Sequence, residues 1–240
     1  MRVFLAGALG VIGRPLSHLL VRAGHEVAGT SRSAARAAEL RDLGLAPVIV
    51  DVFDADALRD AVMAARPDVV IHQLTDLPDV LDPAAMPAAL ERNARLRVDG
   101  TRNLVAAARA AGARRIIAQS IAFAYEPGSE PHDEDDPLAG VVRGEATVSV
   151  RGVLALESQV RASGLDAVVL RYGRLYGPGT WTAQPNGAAP LHVDAAAHAA
   201  LLALDRGRTD IYNIAEDDGH VSITKARREL GFDPAFHIER

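Results

Sequence analysis

Gly7-Ala8-Leu9-Gly10-Val11-Ile12-Gly13 stands between a short apolar run and an amphipathic one, and its reading decides the fold. Val3–Ala6 ahead of it has the length and composition of a strand. Ile12–Ala23 behind it repeats apolar residues at helical spacing and closes at Gly24. A strand, a glycine turn and a helix in that order offer bare main-chain N–H groups and the positive end of a helix dipole to an anion. Gly7 permits the tight turn, Gly10 lets a diphosphate approach without a Cβ in the way, and Gly13 lets the helix close on the strand. Leu9, Val11 and Ile12 belong to the same turn and are assigned to the same dinucleotide site. A plain glycine-rich strand–helix turn is the alternative reading.

Outward from the turn the alternation continues. Glu26–Thr30, Pro47–Val50, Asp68–His72, Arg115–Ala118 and Ala167–Leu170 read as further strands. Helices are expected over Ser33–Leu43, from Asp54 as N-cap to about Ala65, as one long helix from about Ala85 to Ala111, and from about Thr147 to Ala162. Strands alternating with helices at this spacing argue a parallel sheet covered on both faces, and the right-handed crossover rule makes it doubly wound. The expected fold is therefore α/β, a Rossmann-type doubly wound parallel sheet with a reduced C-terminal substrate-binding portion. Residues 1–175 would form the dinucleotide-binding core, and 176–240 a small substrate-binding part packed on it as one unit. Glu126–Glu145, with its acidic run 132–136, reads as an exposed loop, and Tyr176–Pro190 as a second loop. A helix near Asp194–Asp205 with Asp194 as its N-cap, a strand at Asp210–Asn213 and a helix near Ser222–Leu230 complete the chain.

Composition narrows the function. A net charge of −5 with no basic stripe gives no sign of a nucleic-acid partner. The apolar runs are strand-sized, so no membrane span is expected, and the first run reads as a strand rather than a cleavable signal. The chain has no cysteine, which excludes disulfides, thiolate catalysis and Cys-ligated zinc. No metal site is expected, and a cytoplasmic location is the default. Lys225 is the one lysine among 26 basic residues, a fact that bears on catalysis because arginine does not give up its proton.

The end of the second strand selects between dinucleotides. An acidic residue there accepts the ribose hydroxyls of NAD(H). Here the chain reads Gly29-Thr30-Ser31-Arg32-Ser33. Ser31, Arg32 and Ser33 offer hydroxyls and a cation that suit a 2′-phosphate, so NADP(H) is favoured over NAD(H). A solvated Arg32 ahead of a helix is the other reading.

The glycine spacing Gly-x-x-Gly-x-x-Gly resembles the short-chain dehydrogenase/reductase superfamily. Asp68-Val69-Val70-Ile71-His72, Val98-Asp99-Gly100-Thr101-Arg102-Asn103-Leu104 and the run Leu170–Gly179 resemble motifs of its extended branch, the NAD-dependent epimerase/dehydratase type. Ile211-Tyr212-Asn213-Ile214 and Glu229–Pro234 continue the series in order. The resemblance implies an adenine-edge role for Asp51 and Val52, Asp51 being equally a turn residue. It implies cofactor contacts from Gln73, Leu74, Thr75, Arg97 and Tyr172, with Arg97 standing where the branch often has Asn. His72 reads as a core histidine. The resemblance also implies a Tyr-x-x-x-Lys pair on the Thr147–Ala162 helix, because a phenol needs a nearby cation to act at neutral pH. No Tyr lies between Tyr125 and Tyr172, and Ser149 and Val153 hold the two places. The pair is absent by count.

What remains after the fifth strand is Ser120 and Tyr125, resembling the branch's Ser-Ser-x-x-x-Tyr segment, and both are the catalytic candidates. A strand-end hydroxyl capping main chain and a tyrosine packed under the acidic loop are the alternatives. Arg151, Glu145 and His132 are substitutes without positional support. The segment between Gly179 and His192 is short for a substrate cap, leaving Trp181 as its one large anchor and His192 as a group that reaches the pocket. Three functions fit: an NADP(H)-dependent oxidoreductase or epimerase acting on a small carbonyl, alcohol or imine; a redox-inactive NAD(P)-binding sensor or regulator; and a non-redox lyase, isomerase or cyclase reusing the pocket. The resemblance also implies a homodimer through the long helix and the Thr147–Ala162 helix.

Overall fold

The computed structural model of the chain describes residues 1–78 and 80–239. Seven strands form one parallel sheet: β1 (Arg2–Ala6), β2 (Glu26–Ser31), β3 (Ala46–Ile49), β4 (Val69–His72), β5 (Arg115–Ile121), β6 (Asp166–Tyr172) and, late in the chain, β9 (Asp210–Ile214). Their order is β3-β2-β1-β4-β5-β6-β9, every pair parallel. The order reverses between β1 and β4, which pair from Val3 with Val69 to Ala6 with His72. A switch of this kind opens a crevice at the strands' carboxyl ends. Central strands carry continuous apolar runs because both faces are covered, and every residue of β4 is buried.

Helices α1 (Gly13–Arg22) and α7 (Val193–Leu202) pack on each other on one face of the sheet. α2 (Ala37–Asp42) lies beside the β2–β3 edge. On the other face are α3 (Ala55–Ala65), α5 (Thr101–Ala110) and α6 (Val148–Arg161), with α4 (Met86–Arg95) against α6. The last helix, α8 (Thr224–Leu230), rests on β9 and ends at Gly231 in the left-handed region. α7 is apolar nearly all round and nearly all buried, as a helix enclosed by α1, sheet and C-terminal segment must be. One core cluster joins Leu16 and Leu20 of α1 to Ala195–Ala200 of α7 and to Tyr212 of β9. That cluster holds residues from both sides of the 175/176 boundary.

Two local readings are refined and two are corrected. The expected long helix from about Ala85 to Ala111 runs as α4 and α5 with a π-helical turn at Leu96–Gly100 between them. Gly100 allows it: a Cβ there would lie 2.9 Å from Leu96 Cδ1 and 3.2 Å from Val52 Cγ1. The expected Tyr176–Pro190 loop is bounded by two further strands, β7 (Arg174–Tyr176) and β8 (Pro190–His192), which pair in parallel. Asp194 is not the N-cap of α7. His192 holds that position, its Nδ1 accepting the Asp194 N–H at 3.2 Å. Asp194 sits in the first turn and accepts the Ile238 N–H, which ties down the chain's last residues. The 126–145 loop is not wholly exposed. His132 and Leu138 are buried, and the Glu134 carboxylate accepts the Asn213 N–H at 2.8 Å.

Candidate functional site

A cavity of about 1890 Å³ runs along the carboxyl ends of the strands. That is roughly twice the upper range for a single drug-sized ligand, and so suits a dinucleotide together with a second small molecule. Strand order sets its layout. Residues after β3 and β2 line one end, the glycine turn after β1 lies in the middle, and residues after β4, β5 and β6 line the other end.

The middle is built for close main-chain approach. Gly7 has φ of +93° and the Gly10 N–H bonds back to Gly7 O at 3.1 Å. A Cβ at Gly13 would lie 2.0 Å from Gly7 O, so α1 can start where it does only with glycine there. A Cβ at Gly7 would lie 2.6 Å from Gln73 O, so the crossing from β1 past β4 also requires glycine. Gly7, Leu9, Gly10, Val11 and Ile12 line the cavity, and Gly13 supports the turn from behind. Ser17 returns its hydroxyl to Gly13 O at 2.7 Å, fixing the first turn of α1.

At the β2 end, Ser31, Arg32 and Ser33 all line the cavity, with Arg36 beyond them. The Ser31 hydroxyl oxygen accepts the Ser33 N–H at 3.1 Å and shapes the loop that carries Arg32. Arg36 is engaged by Glu39, at 2.9 and 3.1 Å. Arg32 lies on the exposed side of the loop. At the β3 end Val52 lines the cavity, whereas Asp51 does not. The Asp51 carboxylate accepts the Phe53 N–H at 2.9 Å, a turn-forming bond.

The opposite end is lined by Gln73, Leu74, Thr75, Arg97, Gln119, Ile121, Phe123 and Tyr172. Gln73 donates to the Tyr172 hydroxyl at 3.1 Å, and Gln73 Oε1 is buried with no partner among the described residues. Burial pushes the Tyr172 phenol well above its ordinary range. Trp181 closes the mouth, its indole N–H donating to Pro78 O at 2.9 Å across from Leu77 and Leu81.

The two catalytic candidates differ in access: Ser120 lines the cavity beside Gln119 and Ile121, Tyr125 does not, and both hydroxyls donate to protein partners. The Ser120 hydroxyl donates to Glu157 Oε1 at 2.6 Å. Glu157 also receives Arg171 through Nε at 2.9 Å and Nη2 at 2.8 Å, a buried two-pronged ion pair. Tyr125 lies outside the cavity lining. Its hydroxyl donates to Asn213 Oδ1 at 2.6 Å and accepts from Arg171 at 2.9 Å. Burial pushes the phenol up to about 12. Ser120, Glu157, Arg171, Tyr125 and Asn213 thus form one buried network joining β5, α6, β6 and β9. Sequence reading did not find Glu157 in this role, because its partners lie 37 and 14 residues away.

His72 is fully buried, and burial holds its imidazole down at about 4. Its Nδ1 accepts the Leu74 N–H at 3.2 Å, which leaves Nε2–H to donate to Thr101 Oγ1 at 3.0 Å. It is a structural neutral histidine supporting the segment that carries Gln73 and Thr75. His192 is likewise occupied by its cap, and its ring packs against Tyr176 and His237. His192, Asp194 and His237 place ligand-capable atoms within 4.8 Å of one another, but main-chain N–H groups already occupy His192 Nδ1 and Asp194 Oδ2. Lys225 pairs with Asp210 at 2.7 Å on the α8 side, away from the cavity lining. Among the described residues no helix is long and apolar enough to cross a membrane.

A doubly wound parallel sheet with a three-glycine turn at its switch point and a two-ligand crevice defines a dinucleotide-binding α/β protein of the extended short-chain type. The model of the NAD dependent epimerase/dehydratase family matches residues 3–200, and the chain belongs to that family. It is 44% identical over 239 aligned positions to a 3-diazoavenalumate denitrifying reductase from Streptomyces sp, covering 91% of this chain and 77% of the relative. It is 31% identical over 188 positions to a UDP-glucose 4-epimerase from Mycolicibacterium smegmatis, covering 74% of this chain and 57% of that enzyme. Solved structures repeat the fold. A Thermotoga maritima UDP-glucose 4-epimerase determined with UDP-glucose superposes with a TM-score of 0.80 at 17% identity, over 99% of this chain and 94% of that one. The Bordetella bronchiseptica enzyme WbmG in complex with NAD and UDP gives 0.75 at 20% identity, over 99% and 90%.

Proposed function

We propose that this chain is an NADP(H)-dependent reductase whose acceptor takes up hydride without a proton from the protein, an aryl diazonium ion being the class that fits best. The observation that carries this reading is the reaction end of the cavity. The chain holds no Tyr-x-x-x-Lys pair to serve a carbonyl, and the Ser120 and Tyr125 hydroxyls donate within a buried network. The similarity to a denitrifying reductase supports the same acceptor class.

The cavity fits the dinucleotide. The glycine cradle leaves a path that Cβ atoms would block, and Gln73 Oε1 is a buried acceptor awaiting a donor. Gly7, Leu9, Gly10, Val11, Ile12 and Gly13 would hold the diphosphate. Ser31, Arg32 and Ser33 would hold a 2′-phosphate, Val52 would border the adenine, and Gln73, Leu74, Thr75 and Tyr172 would flank the nicotinamide half. When bound, the dihydronicotinamide supplies a hydride with its electron pair, so that each diazonium consumed gives one arene, one dinitrogen and one oxidised nicotinamide, with no proton drawn from the protein. Ile121 and Phe123 exclude water beside the acceptor, and Trp181 with Leu77 and Leu81 covers a planar ring. Ser120 and Tyr125 hold β5, β6 and α6 in register rather than moving a proton.

The test is NADPH consumption with an aryl diazonium salt beside a panel of aldehydes and ketones, using NADPH deuterated at the transferring position. Consumption with the diazonium, with deuterium on the arene carbon that carried nitrogen, is the expected result. Turnover confined to carbonyls, or products formed without any dinucleotide, would overturn the proposal.

A further inference from the structure

We propose that Arg97 is a substrate-recognition residue that grips a carboxylate on the acceptor molecule, and not a cofactor contact as its place in the family pattern implies. The inference rests on the reductase reading for the acceptor's location and goes beyond it in naming a second functional group of the substrate.

Arg97 lies in the π-helical turn between α4 and α5, and turns of this kind occur most often at functional sites. The turn carries its side chain inward against α6, where the Arg97 Cδ lies 3.4 Å from where a Cβ on Gly152 would be. Gly152 therefore makes the room. Arg97 is 7% exposed as a residue and borders the cavity. Its polar contacts are slight for so buried a cation: Nη1 donates to Ser149 O at 3.4 Å and to Ser149 Oγ at 3.3 Å. Among the described residues it forms no ion pair, and Nε and Nη2 make no hydrogen bond. Glu157, the carboxylate whose charge reaches Arg97, gives both its oxygens to Ser120 and Arg171. Desolvation accordingly holds the Arg97 guanidinium down at about 10, still protonated at neutral pH.

A buried cation without a counterion is costly unless a ligand completes it. The planar fork of arginine matches a carboxylate with two parallel N–H···O bonds. Strand order argues against the dinucleotide as that ligand. The anionic groups of the dinucleotide belong to the β1 and β2 stretch of the crevice, whereas Arg97 meets the cavity beside α6, on the β4 and β5 side. The apolar and aromatic walls at that end are Ile121 and Phe123, beside the polar Gln73, Thr75 and Gln119 and beside Arg174, whose guanidinium lies over the Phe123 ring. Arg97 with those walls selects a planar, apolar molecule ending in a carboxylate.

The experiment is calorimetric titration of the NADP⁺-loaded protein with cinnamate and with cinnamamide, which share a shape and differ in charge. The expected preference of the unmodified protein for the acid is roughly 10- to 100-fold, the range of a charge-assisted pair of hydrogen bonds. Arg97→Gln should bring acid and amide to parity, Arg97→Lys should retain part of the preference, and NADP⁺ affinity should stay within about twofold in both, as expected of a residue remote from the phosphates. Equal binding of acid and amide by the unmodified protein overturns the proposal. So does a preference that survives Arg97→Gln, or one abolished instead by Arg174→Gln, the other arginine at that end. Repeating the titration without dinucleotide separates the two readings. An Arg97-dependent preference in a protein that binds no NADP⁺ sustains the anion site and sinks the reductase assignment.

Discussion

Replacing Arg32 by Gln tests the assignment on which the choice of dinucleotide turns. Arg32 follows the last residue of β2, on a loop shaped by the Ser31–Ser33 bond, and lines the β2 end of the cavity. No acidic residue stands in that loop, so nothing there accepts ribose hydroxyls, while Arg32 offers a cation and Ser31 and Ser33 offer hydroxyls. A hydrogen bond to a charged group contributes about 1.5–3 kcal/mol. Arg32 lies on the exposed side of its loop, so solvent screening argues for the lower half of that range, or roughly a 10-fold to 30-fold change in Kd. Arg36 cannot substitute fully because Glu39 holds it by two hydrogen bonds. The assay is fluorescence titration of NADPH and NADH into both proteins at low and high salt. The unmodified chain should prefer NADPH, Arg32→Gln should lose most of that preference by weakening NADPH alone, and added salt should shrink the difference. Equal affinities in the unmodified protein, or a preference untouched by the substitution, would refute the reasoning and leave Arg32 a solvated surface residue.

Gly13→Ala places a methyl group 2.0 Å from Gly7 O and 2.7 Å from Ala8 C, main-chain atoms that cannot move aside singly. It should lower stability by at least about 1–3 kcal/mol and weaken either dinucleotide, and an unchanged urea midpoint would sink the tight-turn argument. His72 stays neutral in the fold down to about pH 4, while its unfolded counterpart gains a proton below its ordinary 6.5. Its contribution is therefore complete above pH 6.5 and is lost as pH falls toward 4. The stability gap between the unmodified chain and His72→Gln should narrow by up to about 1.4 kcal/mol per pH unit over that window, and a constant gap would contradict burial as the cause. Tyr125→Phe deprives Asn213 Oδ1 and Arg171 of a buried partner and should cost about 1–3 kcal/mol of stability. Single-turnover hydride transfer by the folded variant should stay within roughly tenfold of the parent, and a loss of 100-fold or more would make Tyr125 a catalytic group after all.

The part of the site built from main chain was open to sequence reading. Gly7 and Gly13 announce a turn because a conformation or a close approach forbids a Cβ, and such a need is local. Asp54 was legible as an N-cap for the same reason, its carboxylate accepting an N–H only three residues on, from Ala57. The side-chain half of the site was not. Ser120 and Ile121 both line the cavity, yet only the fold shows that the Ser120 hydroxyl is given to Glu157, 37 residues away. The π-helical turn at Leu96–Gly100 leaves no mark on the apolar pattern of the long helical stretch, since one shifted turn preserves its composition while rotating Arg97 inward. The His192 cap of α7 was missed because histidine is a rare choice for that position and Asp194 a common one. The 126–145 loop was read as exposed from its charge, but the Glu134 carboxylate finds the Asn213 N–H, a partner 79 residues away.

The loss of the Tyr–Lys pair and the buried network around Glu157 belong to one physical argument. A carbonyl acceptor becomes an alkoxide as hydride arrives, so a protein that serves it must hold a proton close by on a group tuned near neutral pH. Where the cavity meets β4, β5 and β6 the phenol is Tyr172, which burial drives further from neutrality, and the cations are Arg174 and Arg97, of which Arg97 stays charged throughout the physiological range. His72, immediately before Gln73, is locked neutral by two bonds that leave no nitrogen for a substrate. Ser120 lines the cavity, yet its hydroxyl proton goes to the Glu157–Arg171 pair, where it strengthens the joint between β5, α6 and β6. An acceptor that already carries the positive charge hydride neutralises has no need of those functions. It does need apolar walls and a handle remote from the reacting atom, and in the proposed reading Ile121, Phe123 and Arg97 supply that combination.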